Sequence, residues 1–216
     1  MQKDERSIAD VIASSLRLDI FLGKLRPGAA LRQEALAERF AVSRIPVRDA
    51  LRSLELDGIV EVSPNRTAFV VQLTLTELKE ITDLRVLIEG DLILHAVSAL
   101  TPADLVTLKA TALEARRQSA TRSWVEADVA FHEALYRPSQ RHRQLSLFRS
   151  IRLAVRHYEA FYHQRPEQQN GLLEDHESIL NACLMRDAPL ARHVVIEHIR
   201  REGALLVECI ECRTPA

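Results

Sequence analysis

Ionisable residues interrupt the apolar faces of several segments in the second half of the chain. Asp128 and His132 are four residues apart, so their side chains share one face of a helix. His176 and His198 stand at apolar-face positions of two later segments. Because an unpaired buried carboxylate or imidazolium is costly, these groups need partners. A shared divalent cation satisfies all four, and three imidazoles with one carboxylate suit Zn²⁺, with Ni, Mn or Fe ions as alternatives.

Two other interpretations of these residues stay open. Each histidine can be a core residue with a local hydrogen bond. A metal centre also suits a metal-dependent hydrolytic enzyme, because a cation held by protein ligands can activate water. Against the enzyme, the sequence has no general base beside the ligands and no glycine-rich phosphate loop or nucleophile motif. His193 could compete with His198 as a ligand, but it lies roughly 140° around the helix from it. His142, His157 and His163 are expected at the surface or in a pocket lining, with no assigned role.

A row of arginines in the first third of the chain points to different chemistry. Arg44, Arg48 and Arg52 recur every four residues after Ser43, and Arg39 precedes them. A helix with this face fits the major groove of DNA, where arginine pairs bidentately with guanine. The first residues of a recognition helix usually contact bases, which favours Arg44 and Arg48, while Ser43 can reach a phosphate. The same row also suits an ordinary solvated helix face.

Short elements position these arginines. Helical spacing predicts three helices, over about 4–22, 32–40 and 43–57, the last with Ser43 as its N-cap and Gly58 at its end. A hairpin then pairs 59–62 with 67–72, and it is the only strand-like sequence in the chain. Arg66 at the hairpin tip is placed to reach phosphate or the minor groove.

The remainder of the chain has helical spacing throughout. The predicted helices cover about 75–98, 102–119, 124–137, 142–163, 169–185 and 188–209. Side-chain caps are expected at Thr74, Thr101 and Ser123, each with an acidic residue three positions later. The sequence therefore predicts a mainly α chain of two units, a first unit over 1–73 and an all-α antiparallel helical bundle over 74–216.

Residues 8–72 resemble the winged helix-turn-helix of the GntR family of bacterial transcription regulators. The resemblance is carried by 20–28, Leu31, 36–37, 40–51, Leu54, Gly58 and 65–66. It implies that Arg44 and Arg48 read bases and that Arg66 belongs to the wing. Glu34 departs from the pattern, because some relatives have a DNA-contacting arginine there, and Thr67 replaces a common wing glycine. Both departures bear on the operator sequence and not on DNA binding itself.

Residues 76–205 resemble the FCD ligand-binding domain of FadR-type GntR regulators. The resemblance is carried by Arg85 with Glu89, 128–135, 176–179, 187–188, Ala191 and His198. In metal-binding members an aspartate and three histidines hold a divalent cation, and these match Asp128, His132, His176 and His198.

Arg85 has two interpretations. The resemblance implies that it faces the effector pocket, where its guanidinium fork would bind the carboxylate of an organic acid. The alternative is an exposed Arg85–Glu89 pair four residues apart, which contributes only about 0.2–0.5 kcal/mol.

The combined expectation is a ligand-responsive regulator, most simply a repressor. A homodimer would bind a pseudo-palindromic double-stranded operator, and a small carboxylate or sugar acid would act as effector. The alternatives are the hydrolytic enzyme and an effector-independent architectural DNA-binding protein.

Composition agrees with a globular regulator. The chain has 216 residues, of which 47% are hydrophobic and 27% charged, and a net charge of -1 excludes a generally basic chromatin-like protein. No apolar run reaches the ~18 residues of a membrane span, and the first residues have no apolar core typical of a secretory signal. Three cysteines are too few for a disulfide framework. The expected location is the bacterial cytosol, at the nucleoid.

Overall fold

Residues 7–63, 66–119, 121, 123–162 and 166–211 are described by a computed structural model of the chain. Its contacts divide into two compact units, and the chain passes from the first to the second between Leu73 and Thr74. Among the described helices, none combines the length and the apolar character that crossing a bilayer requires.

The first unit consists of three helices and a small sheet. The elements are α1 (Ile8–Phe21), β1 (Ala30–Leu31), α2 (Gln33–Phe40), α3 (Arg44–Leu56), β2 (Val60–Val62) and β3 (Ala68–Val70). The sheet order is β1-β3-β2, and both pairings are antiparallel. Apolar side chains of α1, α3 and the sheet form the core, including Leu16, Ile20, Leu54 and Val70.

The structure corrects two predictions here. The hairpin is not the only strand pair, because Ala30–Leu31 pairs with β3; a two-residue strand is too short to show alternation in sequence. Helix α1 begins at Ile8 rather than at residue 4, because Ser7 and Asp10 form a reciprocal capping box, and residues 1–6 lie outside the described part of the chain.

The turn between α2 and α3 sets the direction of the arginine row. Ala41 adopts the left-handed conformation with φ of 53°, which ends α2 and lets α3 start three residues later. Ser43 is the N-cap residue, as predicted, although its side chain makes no capping hydrogen bond. Gly58 ends the helix with φ of 72°, as predicted.

The second unit is an all-helical bundle. Its elements are α4 (Leu75–Ala99), α5 (Pro102–Gln118), α6 (Trp124–Tyr136), a 3-10 turn (Arg137–Ser139), α7 (His142–Tyr162), α8 (Pro166–Leu184) and α9 (Ala188–Glu211). The predicted capping boxes at Thr74 and Thr101 form. The box at Ser123 does not, because a turn in which its backbone N–H donates to the Thr121 hydroxyl holds Ser123 out of the extended conformation that a cap needs.

Close packing between α4 and α9 brings the candidate site together. Helix α9 lies along α4, and a Cβ added at Gly203 would come within 2.6 Å of the Thr82 side chain. The apolar core of this unit includes Leu92, Phe131 and Val195. Polar groups that enter this core must therefore find partners inside it.

Candidate functional sites

The four predicted metal ligands meet inside the bundle. Asp128 and His132 come from α6, His176 from α8 and His198 from α9, and all four are buried. One ligand atom from each residue lies within 4.8 Å of every other. The helical spacing places Asp128 below His132 on one face, and the packing of α8 and α9 against the same core adds the other two.

The geometry of the four side chains fits a cation. The Nε2 atom of His176 is 3.2 Å from Asp128 Oδ1, yet neither atom makes a hydrogen bond among the described residues. The Nε2 atoms of His132 and His198 are also 3.2 Å apart. Two imidazole nitrogens at this distance need either a proton between them or a positive charge that both lone pairs face. Three buried imidazole nitrogens and a carboxylate oxygen this close together are the kind of ligand set that a divalent metal would bind.

Three further residues support this metal-ligand cluster of Asp128, His132, His176 and His198. Arg152 of α7 donates from Nη2 to the second oxygen of Asp128. Asp175 lies 3.4 Å from His198 Nδ1, and Arg201 in turn is 3.0 Å from Asp175. A carboxylate on the far nitrogen orients an imidazole and increases its basicity. Sequence reasoning missed these residues, because nothing in a row of helical arginines or acids indicates which of them points inward.

Aromatic rings hold the histidines in place. His176 stacks between Trp124, at a centroid distance of 5.8 Å, and Phe131, at 4.3 Å. Phe131 also meets the edge of His132 at 5.3 Å. These contacts restrict ring rotation, so the donor atoms are preorganised before any ligand arrives.

Burial and neighbouring charges set the protonation of the cluster. Burial lowers the pKa of His132 and of His176, which favours the neutral form that binds metals. Burial alone would raise the pKa of Asp128, but Arg152 and the histidines outweigh it and hold this pKa well below its usual range. Burial would lower the pKa of His198, but the carboxylates of Glu202, Asp175 and Asp128 raise it.

Arg85 is neither an exposed pair nor an open ligand site. Its side chain is only 3% exposed, which rules out the interpretation as a wet surface pair with Glu89. Nε donates to Glu89 Oε1 at 2.6 Å, and Nη2 lies 2.7 Å from Glu202 Oε2 of α9. Tyr136 donates its hydroxyl to Glu89 Oε2 at 2.9 Å. Glu202 was not identified from the sequence, because its partner Arg85 is more than a hundred residues away along the chain.

Two cavities lie between helix pairs of the bundle, and one of them borders the cluster. One of about 210 Å³ lies between α5 and α8, and His176 is part of its lining. The other, of about 220 Å³, lies between α6 and α7, and its lining includes Arg152 together with Arg149 and Arg156. Both are smaller than pockets for drug-sized ligands, which occupy roughly 300–1,000 Å³. Either cavity accommodates a compact molecule.

The arginine row of α3 faces solvent. Arg44, Arg48 and Arg52 are all exposed, whereas Val47, Leu51 and other apolar residues of the helix are buried. The helix therefore turns its basic face outward as a groove-reading helix must. Glu34 of α2 pairs with Arg44 at 2.9 Å on this exposed surface.

The other predicted DNA contacts fall in different settings. Arg39 is tied to the buried carboxylate of Asp19 and lies over the Phe40 ring, so it stabilises the fold besides adding charge. Burial would raise the pKa of Asp19, but Arg39 and Lys24 outweigh it and lower this pKa. Arg66 is exposed at the hairpin tip with φ of 65°.

Two of the other histidines are at the surface of the described part of the chain. His193 and His142 are exposed, so His193 does not compete with His198. The side chains of His157 and His163 lie outside the described residues.

Comparison with known proteins agrees with both units. Residues 8–70 match the model of bacterial regulatory proteins of the gntR family, and residues 80–201 match the FCD domain. A winged helix-turn-helix joined to an all-helical FCD bundle defines a class of DNA-binding transcription regulators. The chain belongs to the GntR family.

The similarity to individual relatives extends over most of the chain. The Glc operon transcriptional activator of Escherichia coli K12 is 26% identical, over 93% of this chain and 89% of that protein. The gluconate operon transcriptional repressor of Bacillus licheniformis is 27% identical, over 83% of this chain and 76% of that protein. The solved structure of E. coli McbR/YncC has the same fold, with a TM-score of 0.78, 23% identity and coverage of 94% and 98%. The two operon proteins are named as transcriptional regulators and not as enzymes, so the hydrolytic alternative is set aside.

Proposed function

We propose that this chain is a metal-containing repressor that binds operator DNA as a homodimer and releases it when a small organic acid binds in the helical bundle. The observation that carries the proposal is the joint presence of an exposed basic recognition helix and a buried Asp/His3 cluster. The proposed place of action is the bacterial cytosol, at the nucleoid.

The DNA-binding part rests on the face of α3. Arg44 and Arg48 are exposed near its start, where recognition helices contact base edges, and Arg52 continues the face towards the phosphate backbone. The hydroxyl of Ser43, which makes no capping bond, is available to a phosphate. Arg66 at the hairpin tip would contact the backbone or the minor groove. Two such helices related by a two-fold axis would match a pseudo-palindromic operator.

The metal part rests on the donor set. Asp128, His132, His176 and His198 would hold the cation, with Asp175 orienting His198. Zn²⁺ is the first expectation for three imidazoles and one carboxylate, with Ni, Mn or Fe ions as alternatives. When bound, the cation would offset the charge of Asp128 and attract an anionic ligand.

The effector part rests on size and charge. The cavities of about 210 and 220 Å³ suit a compact acid, and Arg152 beside one of them carries the charge that attracts a carboxylate. One relative is named for gluconate, a sugar acid, which agrees with this class. Relatives are named both activator and repressor, and repression is proposed because ligand-released repression is the commoner mode that the family resemblance implies.

The first test combines three measurements on chain purified without chelator or nickel resin. Elemental analysis is expected to find about one divalent metal per chain, and light scattering a dimer mass. Duplexes selected from a random DNA library are then used in anisotropy titrations, with gluconate, glycolate and acetate as effector probes. The effector must prefer the DNA-free arrangement, so at least one acid is expected to weaken operator binding.

Each measurement can contradict its own part of the proposal. Chain that stays metal-free after reconstitution with Zn²⁺ would leave the four residues as a metal-free polar pocket. Selection of no common DNA sequence would favour the architectural DNA-binding alternative.

A further inference from the structure

Two buried arginines from different helices converge on one carboxylate. Arg85 of α4 lies 2.7 Å from Glu202 Oε2, and Arg152 of α7 donates from Nη1 to the same oxygen at 3.4 Å. Glu202 comes from α9, and all three side chains are at most 4% exposed. His198 Nε2 lies 3.9 Å from this oxygen, so the carboxylate also borders the metal-ligand cluster.

This arrangement has the composition of an anion site. Guanidinium groups bind carboxylates through short charge-assisted contacts, and two of them directed at one oxygen form a strongly attractive position. Glu202 fills that position incompletely, because its other oxygen, Oε1, is buried and accepts no hydrogen bond from any residue that the structure describes. A carboxylate attached to a helix cannot turn freely to satisfy both oxygens, whereas the carboxylate of a small ligand can.

We propose that Arg85 and Arg152 form an anion site that Glu202 occupies from within the chain, and that the effector carboxylate binds by taking the place of the Glu202 carboxylate. The inference rests on the proposed function in one respect, namely that the effector is a small acid. It names Glu202 as an internal competitor, so the effector must be a carboxylate small enough to fit where the end of this side chain lies.

The cavity between α6 and α7 provides an approach to this site. Arg152 lines that cavity and also contacts Glu202, so the cavity leads to a residue that holds the internal carboxylate. Arg149 in the lining is bound to Glu133 through Nε and Nη2, at 2.5 and 2.7 Å. Arg152 joins the cavity to the site, because its guanidinium contacts Glu202.

Displacement would connect the site to the rest of the bundle. Glu202 is buried on α9 beside the close α4–α9 contact at Gly203, so its side chain can leave only if its packing in α9 changes. Occupancy by Glu202 or by effector then defines two arrangements of α9. A ligand that prefers one of two packed arrangements is what a switch requires.

Chemical rescue tests the inference. In Glu202→Ala the internal carboxylate is removed, and acetate is the probe that can fill its place. Thermal unfolding is followed with increasing acetate, with sodium chloride at equal ionic strength as reference. The variant is expected to have a lower Tm than the parent chain, and saturating acetate should restore the Tm of the parent. The variant should also bind acetate at least about tenfold more tightly than the parent chain does, which corresponds to about 1.4 kcal/mol.

A matched control and a second variant complete the design. Glu197→Ala removes an exposed glutamate of the same helix, paired only with Arg200 among the described residues, and its acetate response should equal that of the parent chain. Glu202→Gln keeps the shape without the charge and should also gain acetate affinity. Glu202→Gln replaces Glu202→Ala in this test if the alanine variant does not fold.

The outcomes separate this inference from the proposed function. The inference would be overturned if both Glu202 variants respond to acetate as the parent chain does. It would also be overturned if the variants lose metal and acetate does not restore their Tm, because Glu202 would then be a metal ligand. Normal metal content without rescue leaves the proposed regulator standing. Acetate rescue in a chain whose DNA binding ignores every acid supports the anion site and contradicts the effector-controlled switch.

Discussion

Two groups of arginines, one in each unit of this chain, lie in opposite settings. In the first unit Arg44, Arg48 and Arg52 extend into solvent from a helix whose other face is packed. In the second, Arg85 and Arg152 are buried and bound to carboxylates from other helices. Exposed guanidinium groups remain hydrated and available to a nucleic acid, whereas buried ones have exchanged water for fixed partners. The exposure of an arginine, rather than its residue type, therefore decides whether it is available to DNA or balances a buried carboxylate.

The comparison predicts that removing a buried arginine has the largest effect. Arg85→Ala leaves the carboxylates of Glu89 and Glu202 buried with a missing partner, so the free energy of unfolding should fall by about 3–5 kcal/mol. Chemical denaturation of the metal-loaded chain measures this. The control is Arg200→Ala, which breaks an exposed pair with Glu197 and should change stability by less than about 1 kcal/mol. Equal losses in the two variants would contradict the distinction.

The metal-ligand cluster should show the next largest effect. In the parent chain, Zn²⁺ at a hundred times its dissociation constant should stabilise the fold by about 2.7 kcal/mol. His176→Ala removes one donor and should abolish most of that gain and lower the metal content. His193→Ala changes an exposed histidine of α9 and should leave both quantities unchanged. Full metal occupancy in His176→Ala would show that the four-residue assignment is wrong.

An exposed arginine should affect DNA binding and little else. Arg48→Ala removes a proposed base contact, which is worth about 1–3 kcal/mol of sequence discrimination per contact, so specific binding to the selected operator should be lost. Anisotropy with selected and scrambled duplexes measures it, while mass and metal content should stay those of the parent chain. Retained discrimination would remove Arg48 from base reading.

We expect the smallest effect on operator affinity from breaking the exposed pair between Glu34 and Arg44. Glu34→Gln frees Arg44 from its partner at 2.9 Å, and operator affinity should rise by less than about fivefold, because exposed ion pairs are weak. Glu38→Gln removes another exposed acid of α2 and reports the general effect of lost negative charge. If Glu38→Gln increases affinity as much as Glu34→Gln, pairing with Arg44 has no specific role.

Local pattern was sufficient for much of the candidate site. The interval of four residues between Asp128 and His132 places both on one helix face, whatever the rest of the fold does. His176 and His198 were found because each interrupts an apolar stripe. The glycine at position 58 marked the end of α3, since only a left-handed residue ends the helix in that way.

Other features were decided by contacts between distant segments. The sequence by itself determined most of the helices and the apolar residues of their inward faces, because these follow from spacing along the chain. Only the tertiary structure decided that Arg85 is buried, that Glu202 and Arg152 meet it, and that Ala30–Leu31 pairs with β3. Partners separated by tens of residues become neighbours through helix packing, and the charge balance of a buried group depends on those neighbours rather than on its own segment.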